Sequence, residues 1–518
     1  MKYTALLALS ILLLFLNSAQ CSKILIVFPI AAPSHYILGN ALARGLAEAG
    51  HDVTMVSPFE EKNPPKKGKY RDVVLTGFLD ERNDASKRPN FFQMAETSPF
   101  FFLFFMNSVG NEYTRKMFAH PNFQALLKSD EQFDVVILEQ FINDAHKVLA
   151  YHYKTPLILF STIGPNAWVN NLVGNPSPPS YVPDVFLSYD SHMDFKQRVV
   201  NWLFTVAAEL NRHLIFFPAQ NKILKEYFPD APDLSELNYN ASLVLLNSHE
   251  SVNDAVPHVP NMIDIGGYHV NPPKELPKDL KQFMDNATEG VIYFSLGSNI
   301  QPSQMSESMR KAILGPLGKL KQKVLWKWDE DTLPGKPDNV KISKWFPQQD
   351  ILAHPNIKLF ITHGGLLSTT ETIYHGVPIL AFPLLGDQKM NAARAEMNGY
   401  CITMQFSELT EEKVTDALNK LLNNPQYREN VKRRSRLMHD RPVKPMDLAV
   451  YWTEFVIRHK GAPHLKVAGV DLPWYKYLLL DVISFVILVI IGCSLILRVI
   501  VRKIFCSRKK TADKLKQN

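Results

Sequence analysis

The pattern of apolar and polar residues predicts a strand, a helix and a second strand near the start of this chain. Residues 23–30 form an apolar run typical of a buried strand, residues 36–49 carry leucines at helical spacing, and residues 52–57 form the next strand. Residues 31–35 are predicted to be the loop after the first strand. In a doubly wound sheet, ligands bind outside the carboxyl ends of the strands, and His35 occupies such a position.

A second unit of the same kind lies in the other half of the chain. Residues 357–362 are predicted to form a buried strand, residues 368–375 a helix, and residues 377–382 a further strand. The turn at residues 363–365 reads His-Gly-Gly. A glycine-rich turn before a helix suits a phosphate group, because free backbone N–H groups and the positive end of the helix dipole point towards it.

Together these units predict an α/β protein with two doubly wound domains. A chain of 518 residues is long enough for two full cores. We place the first domain at residues 22–263, a linker at residues 264–289 and the second domain at residues 290–440. A helical and juxtamembrane segment at residues 441–474 follows.

Each end of the chain carries an apolar segment. Residues 1–21 are typical of a cleaved secretory signal peptide, and an uncleaved anchor is the alternative. Residues 477–497 predict a transmembrane helix, since about twenty apolar residues cross roughly 30 Å of hydrocarbon. The basic tail at residues 498–518 stays in the cytoplasm by the positive-inside rule, and residues 514–518 resemble a dilysine retrieval signal. We therefore expect a single-pass type I protein of the endoplasmic reticulum membrane, with its domains in the lumen.

Net charge, cysteines and glycosylation motifs indicate which partners and modifications to expect. The net charge of +7 does not indicate nucleic-acid binding, because eight Lys and Arg and only one acid lie from residue 498 onward. Four cysteines, of which only Cys401 is expected in the lumen, do not predict a disulfide framework. Asn240 and Asn286 begin Asn-x-Ser/Thr motifs and are predicted glycosylation acceptors.

One stretch of the second half matches a known pattern. It reads F-I-T-H-G-G-x-x-S-x-x-E from Phe360 and, six residues later, P-I-L-x-x-P-L-x-x-D-Q, with W-x-P-Q upstream at Trp345. This resembles the donor-binding signature of the UDP-glycosyltransferases, and the resemblance covers essentially the whole chain. It is to the membrane-bound animal enzymes, and among these to the insect branch. The resemblance implies a GT-B fold: two Rossmann-like domains face a cleft, a last helix crosses back to the first domain, and a transmembrane helix follows.

The resemblance also implies roles for residues of the second domain. Trp345 would stack on the uracil, Gln348 would bind the nucleoside, and Glu371 would accept hydrogen bonds from the ribose hydroxyls. Asp387 and Gln388 would bind hydroxyls of the sugar. The residues that would face the diphosphate are Ser298, His363, Gly365 and Ser368. Of these, the histidine would act with the helix N-terminus to stabilise the leaving UDP.

One position departs from the family pattern. Many relatives carry Asn just before the serine of this turn, where this chain has Leu367. The change removes a polar contact to the donor, which bears on the sugar contacts and on full activity rather than on UDP binding. An Asp-x-Asp motif is absent near the donor signature, so no metal is expected. No cofactor is expected either, because the UDP-sugar is itself a substrate.

In the family, the histidine that matches His35 is the general base for the acceptor hydroxyl. A carboxylate behind the imidazole would fix its tautomer and stabilise the imidazolium. Relatives often carry Asp after a later strand. Here the strand at residues 133–138 is followed by Glu139, which is one methylene longer, and Asp144 lies on the next helix. Both remain candidates for the partner, and attack from the face opposite the diphosphate would invert the anomeric centre.

The acceptor is expected to be small and lipophilic. Residues 91–106 are unusually aromatic and predict either a buried core helix or the wall of an acceptor pocket that also touches the membrane. Residues 161–200 are predicted to be loops over the same cleft.

The expected activity is transfer of a hexose, glucose by analogy with insect relatives, to a hydroxyl compound in detoxification or clearance. Glucuronic acid is the alternative sugar, and a lipid or a protein-linked glycan is the alternative acceptor. A catalytically weak UDP-sugar-binding or regulatory membrane protein is the alternative of another class. The sequence leaves a homo- or hetero-oligomer open.

Overall fold

Two parallel β-sheets, one from each half of the chain, form the framework of the protein. The computed structural model describes residues 21–84 and 89–515, the last ten of these as backbone only. The first sheet has the strand order β3-β2-β1-β4-β5-β6-β7 and the second the order β10-β9-β8-β11-β12-β13. The strands of the first sheet are β1 Lys23–Val27, β2 Asp52–Ser57, β3 Lys69–Val74, β4 Val135–Glu139, β5 Leu157–Ser161, β6 Ala241–Leu246 and β7 Met262–Asp264. Those of the second are β8 Val291–Ser295, β9 Lys323–Lys327, β10 Val340–Ser343, β11 Ile357–Thr362, β12 Ile379–Ala381 and β13 Cys401–Thr403.

Helices cover both faces of each sheet, which is why the central strands are apolar throughout. All of β8 is buried, as is β1 after Lys23. In the first half the helices are α1 Pro33–Ala49, α2 Phe78–Asn83, α3 Phe91–Met94, α4 Pro99–Ala119, α5 Pro121–Leu127, α6 Val148–Tyr153, α7 Ala167–Asn170, α8 Phe195–Asn211, α9 Phe217–Tyr227 and α10 Leu234–Leu237. The second half has α11 Lys278–Asp285, α12 Glu307–Gly318, α13 Gln348–Leu352, α14 Leu366–His375, α15 Gln388–Met397, α16 Glu411–Asn423, α17 Pro425–His439 and α18 Pro445–Arg458.

Each sheet reverses its strand order once, and this confirms the two doubly wound domains predicted from the sequence. The chain runs outward from β1 to β3 and then returns to place β4 beside β1. It repeats this path in the second sheet, where β11 returns beside β8. A crevice forms at the carboxyl ends of the strands where the order reverses, and ligands bind there.

The last helix of the globular part, α18, packs on the first domain. Ala449 and Val456 of α18 lie in the same buried cluster as Leu42 of α1. Gly45 of α1 permits the close approach, because a Cβ atom there would lie 2.1 Å from Sδ of Met446. The helix expected within residues 441–474 therefore crosses back, as the family resemblance implied.

Several predicted boundaries were wrong near the first crevice. The first helix begins at Pro33 rather than at residue 36, since proline is favoured in the first turn of a helix. His35 therefore lies in that first turn and not in a loop. The strand β4 runs on to Glu139, which is its last residue instead of the residue after it. The aromatic segment at 91–106 is divided between α3 and α4.

Residues 467–515 form a separate unit that contains α19, Trp474–Tyr477, and α20, Leu480–Leu515. Its apolar part, Leu480–Phe505, has 26 residues and a mean hydropathy of 2.8, enough by length and composition to cross a membrane. The predicted span, 477–497, overlaps this apolar part, which begins at Leu480 and runs on to Phe505. Leu479, with a φ of 54°, separates α19 from α20. The signal peptide, except for Cys21, and the last three residues of the retrieval signal lie outside the described residues.

Candidate functional site

A cavity of about 900 Å³ lies between the two sheets, where their crevices face each other. From the first domain it is lined by residues that follow β1 and β4, including His35 and Phe141. Residues that follow β8 and β11, including Ser298 and His363, line it from the second domain. One cavity therefore contains both the candidate base and the predicted donor-binding turn.

His35 is held by a carboxylate on the neighbouring strand. Nδ1 of His35 is hydrogen-bonded to Oε1 of Glu139, whose side chain is fully buried. The ring of Phe141 packs edge-on against the imidazole, with 4.8 Å between the ring centroids. These two contacts fix the plane and the tautomer of a histidine whose side chain keeps 15% of its surface exposed.

The electrostatics of this pair favour the imidazolium. Burial is the largest single influence on His35 and lowers its pKa. The charge and the hydrogen bond of Glu139, with a smaller contribution from Asp387, outweigh burial, so the pKa of His35 is raised above its usual value.

Asp144 does not take the place of Glu139. It lies in the short turn of 3-10 helix at Asp144–Lys147 and forms a buried ion pair with Lys147. Gln140 donates a further hydrogen bond to the same carboxylate oxygen, at 3.1 Å. Of the two carboxylates left open by the sequence, the structure brings only Glu139 to His35, because Asp144 neutralises a buried lysine.

The imidazole of His363 fills the space between two glycines of the second domain. A Cβ atom at Gly297 would lie 2.7 Å from Cε1 of this ring, and one at Gly365 would lie 2.6 Å from Nε2. Burial and the charge of Lys327 lower the pKa of His363 to about 4. The imidazole is therefore neutral near pH 7, and it can donate a hydrogen bond to an anion without adding a positive charge.

Glu371 is surrounded by amides. Gln348 donates to its Oε2 at 2.5 Å, and Gln349 donates to its Oε1 at 2.9 Å. Gln348 also donates to the hydroxyl of Ser368, at 3.1 Å. Burial raises the pKa of Glu371 to about 7. Three predicted donor-binding side chains thus form one network, and the sequence had not singled out Gln349.

Trp345 lines the cavity and remains largely exposed. Its side chain is 64% exposed, and Nζ of Lys327 lies 4.8 Å from the ring centroid. Lys327 also donates to the carbonyl of Gly297, at 2.8 Å. Burial and the charge of Arg82 lower the pKa of Lys327 to about 8.

Asp387 and Gln388 lie at the start of α15, on the same cavity. The carboxylate of Asp387 accepts a hydrogen bond from Asn391 at 2.7 Å, and Asn391 also donates to the carbonyl of Gly364. The side-chain oxygen of Gln388 accepts from the backbone N–H of Leu384, at 2.9 Å. Both side chains are thus held beside the glycine-rich turn.

Comparison with known proteins agrees with this geometry. The sequence model of the family described as "UDP-glucoronosyl and UDP-glucosyl transferase" matches residues 24–517. The chain belongs to this UDP-glycosyltransferase family. It is 39% identical over 491 residues to UDP-glycosyltransferase UGT5 of Dactylopius coccus, covering 93% of this chain and 92% of that protein. It is 31% identical over 507 residues to UDP-glucuronosyltransferase 2B7 of Homo sapiens, covering 94% of each.

Solved structures of glycosyltransferases share the fold. CalG4, the calicheamicin glycosyltransferase, matches with a TM-score of 0.57 at 18% identity, over 85% of this chain and 99% of that one. The glycosyltransferase of kitacinnamycin matches with the same TM-score at 17% identity, over 85% of this chain and 100% of that one. This UDP-glycosyltransferase therefore has the GT-B fold, and it is a glycosyltransferase enzyme.

Leu367, the departure from the family pattern, faces the first domain. It lines the cavity and packs against the buried cluster that includes Leu38 and Leu42 of α1. An apolar side chain at this point of the UDP-glycosyltransferase thus joins the two domains.

Both interpretations of the aromatic segment at residues 91–106, a core helix and the wall of a pocket, describe part of it. On α4 of this UDP-glycosyltransferase, Phe102, Phe105 and Met106 line the cavity, while Phe101 and Phe104 are more than half exposed. Among residues 161–200, which were predicted to be loops, Ile163 lines the same cavity, but α7 and the start of α8 are helical.

Two cations of the cavity were missed by sequence reasoning. Lys327 ends the strand β9, whose sequence KVLWK has a lysine at each end and reads as an ordinary strand. Arg82 belongs to the first domain and reaches the donor-binding turn of the second. Nothing in the local sequence of α2 marks that contact. The two predicted glycosylation acceptors, Asn240 and Asn286, are exposed.

Proposed function

We propose that this enzyme transfers a hexose, glucose, from its UDP-sugar to a hydroxyl group of a small lipophilic acceptor, with inversion at the anomeric carbon. The observation that carries the proposal is the His35–Glu139 pair facing the donor-binding turn across one cavity. Glycosyl transfer requires that the acceptor and the donor be held side by side. A base on one domain and a nucleotide-sugar site on the other would meet this requirement.

His35 acts as the general base. Nδ1 of His35 is occupied by Glu139, so the other ring nitrogen, Nε2, takes the proton from the acceptor hydroxyl as the oxygen attacks the anomeric carbon. The bond from that carbon to the diphosphate oxygen breaks, and UDP leaves with the electron pair. Glu139 stabilises the imidazolium that forms.

The second domain holds the donor. Trp345 stacks on the uracil, and Glu371, with Gln348, binds the ribose hydroxyls. The N-terminus of α14 and the charge of Lys327 stabilise the negative charge that develops on the diphosphate. The neutral His363 donates a hydrogen bond there. Asp387 and Gln388 bind the sugar.

Glucose is the proposed sugar on the evidence of a similar protein. UDP-glucosyltransferase 2 of Dactylopius coccus is 35% identical over 531 residues, covering 99% of each chain. The glucuronosyltransferase named above supports glucuronic acid as the second candidate, and Lys327 places a cation in the cavity that a sugar carboxylate could meet. The apolar wall of Phe102, Phe105 and Met106 supports a lipophilic acceptor.

The proposal extends to place and role. The helix Leu480–Phe505 would anchor the enzyme in the membrane of the endoplasmic reticulum, with its domains in the lumen and its tail in the cytoplasm. Sugar transfer makes a lipophilic compound more soluble, which suits detoxification or clearance.

Microsomes that contain the full chain test this function. They receive UDP-glucose or UDP-glucuronic acid with a panel of planar phenols, beside His35→Ala and the control His192→Ala, a surface histidine with an 82% exposed side chain. We expect transfer from UDP-glucose that falls by at least ~10²-fold in His35→Ala only. Transfer that survives His35→Ala contradicts the mechanism. UDP binding without transfer of either sugar favours the non-catalytic alternative.

A further inference from the structure

A short arm of the first domain reaches across the cleft. The arm consists of α2 and α3, described at residues 77–84 and 89–95. At one end, Phe78 is buried in the core of the first domain. At the other end, Phe92 is buried in the core of the second domain, with its ring 4.9 Å from that of Phe406. The two phenylalanines of the arm are therefore buried in different domains, and Arg82, Pro89 and Phe91 line the cavity.

Arg82 of this arm contacts the turn that follows β8. Its Nη2 donates to the carbonyl of Ser298 at 2.6 Å and to Oδ1 of Asn299 at 3.3 Å. Arg82, Ser298 and Asn299 all line the cavity. A guanidinium from the acceptor side is thus fixed on the turn whose backbone faces the predicted diphosphate position.

A second cation lies on the same turn. Lys327 donates to the carbonyl of Gly297, one residue before the contact of Arg82, and the charge of Arg82 is one of the influences that lower the pKa of Lys327. The two like charges repel each other, and an anion bound by both would offset the repulsion. Of the nearby acids, Glu81 and Glu112 pair with Lys116, and Asp329 raises the pKa of Lys327 without outweighing burial and Arg82.

The ligand chemistry follows from these charges. A turn with a glycine, a serine and two cations is complementary to a diphosphate, because planar guanidinium and ammonium groups form strong charge-assisted hydrogen bonds with phosphate oxygens. Lys327 also lies 4.8 Å from the ring centroid of Trp345, at the predicted uracil position, whereas the contacts of Arg82 given above are to Ser298 and Asn299. The contribution of Arg82 should therefore be specific to the phosphates.

We propose that Arg82, from the acceptor-binding domain, is a positioning residue for the donor diphosphate of the UDP-sugar. It binds the phosphates together with residues 297–299, so that the donor site is complete only when both domains contribute. The proposal rests on the proposed function, since it needs a UDP-sugar in this cavity.

Nucleotide binding tests the proposal. The full chain in detergent is titrated with UDP and, separately, with uridine, by calorimetry. We expect Arg82→Ala to weaken UDP binding about tenfold, the size of one charge-assisted hydrogen bond, and to leave uridine binding unchanged. Arg82→Lys keeps the charge, so its affinity for UDP should lie between those of the unaltered chain and Arg82→Ala. Arg82→Gln keeps only a neutral donor and should bind UDP as weakly as Arg82→Ala. The loss should shrink at high salt.

Arg115→Ala is the matched control. Arg115 lies on α4, half-exposed, and pairs with Glu226 at 3.4 Å; its removal should leave the affinity for UDP unchanged. Equal weakening of UDP and uridine in Arg82→Ala, or an unchanged affinity for UDP, would overturn the proposal and leave Arg82 as a structural link between domains. If the unaltered chain binds neither UDP nor uridine, the proposed function itself is contradicted, whatever the role of Arg82. Thermal unfolding of each variant establishes that it is folded.

Discussion

The carboxylate of Glu139 contacts Nδ1 of His35 because Glu139 ends β4, His35 follows β1, and these two strands are neighbours. Val27, the last residue of β1, pairs with Leu138 in β4, one residue before Glu139. The chain then turns into α1, whose first turn places His35 over the end of β4. Two residues that lie 104 positions apart in sequence thus form one acid–base pair.

Glu139→Gln tests what this contact contributes. The amide can still hold the ring, but it cannot stabilise the imidazolium, and it permits the wrong tautomer. We expect kcat to fall by roughly 10²- to 10⁴-fold with UDP binding unchanged. Glu131→Gln is the control, since Glu131 is a surface residue that pairs with Arg71. A kcat within a few fold of the unaltered enzyme would show that Glu139 has no part in the proton transfer.

The pH dependence of the reaction should follow His35. Its pKa is raised above 6.5 because Glu139 outweighs burial, and only the neutral imidazole can accept a proton. We therefore expect kcat/KM to rise with pH, with a midpoint above 6.5. Glu139→Gln removes the group that raises the pKa and leaves burial, so the midpoint should move to lower pH. Measured pH–rate profiles that share one midpoint would contradict this assignment.

Gly365→Ala should damage the donor site locally. The backbone at Gly365 has a φ of −62°, which alanine adopts without strain, but the added Cβ would lie 2.6 Å from Nε2 of His363. The ring must move away, and returning it to the position that binds UDP costs about 1–3 kcal/mol, or roughly 5- to 150-fold in UDP affinity. Gly492→Ala is the control, because Gly492 lies in the helix α20 and a Cβ there would meet no atom within 4 Å. Calorimetry with UDP should separate the two variants, and equal affinities would show that His363 does not touch the diphosphate.

The residues of the proposed donor site could be located from the sequence because they are close together along the chain. The turn at residues 363–365, the helix α14 and Glu371 follow one another within a dozen residues, and each has a pattern of its own. The alternation of strands and helices likewise predicted both doubly wound sheets. Some ends of elements were misplaced, as at Pro33, where local propensity alone does not fix the first turn. The helix α7 was missed within residues 161–200, which were predicted to be loops.

The contacts between remote segments could not be predicted. The choice between Glu139 and Asp144 depends on which of them neutralises Lys147, a fact of packing that no spacing reveals. The position of Arg82 depends on Phe92 entering the core of the other domain, and an apolar pattern indicates burial without saying in which core. At these positions, contacts between remote segments determine which residues meet in the site.

Leu367→Asn tests the departure from the family pattern. Leu367 is half-buried against the first domain, so its loss should lower the free energy of unfolding by about 1–2 kcal/mol. Leu367→Ala should lower it equally. The new amide lines the cavity beside Ser368, where it could bond a sugar hydroxyl. We therefore expect only Leu367→Asn to tighten binding of UDP-glucose relative to UDP, by several-fold.

Thermal unfolding measures the change in the free energy of unfolding. Calorimetry with UDP-glucose and with UDP measures the ratio of the two affinities. An affinity ratio that is the same in Leu367→Asn and Leu367→Ala would mean that position 367 does not face the sugar. Its side chain would then serve only to join the domains. A ratio changed in both variants would instead assign the effect to lost packing across the cleft, since the alanine variant adds no polar group.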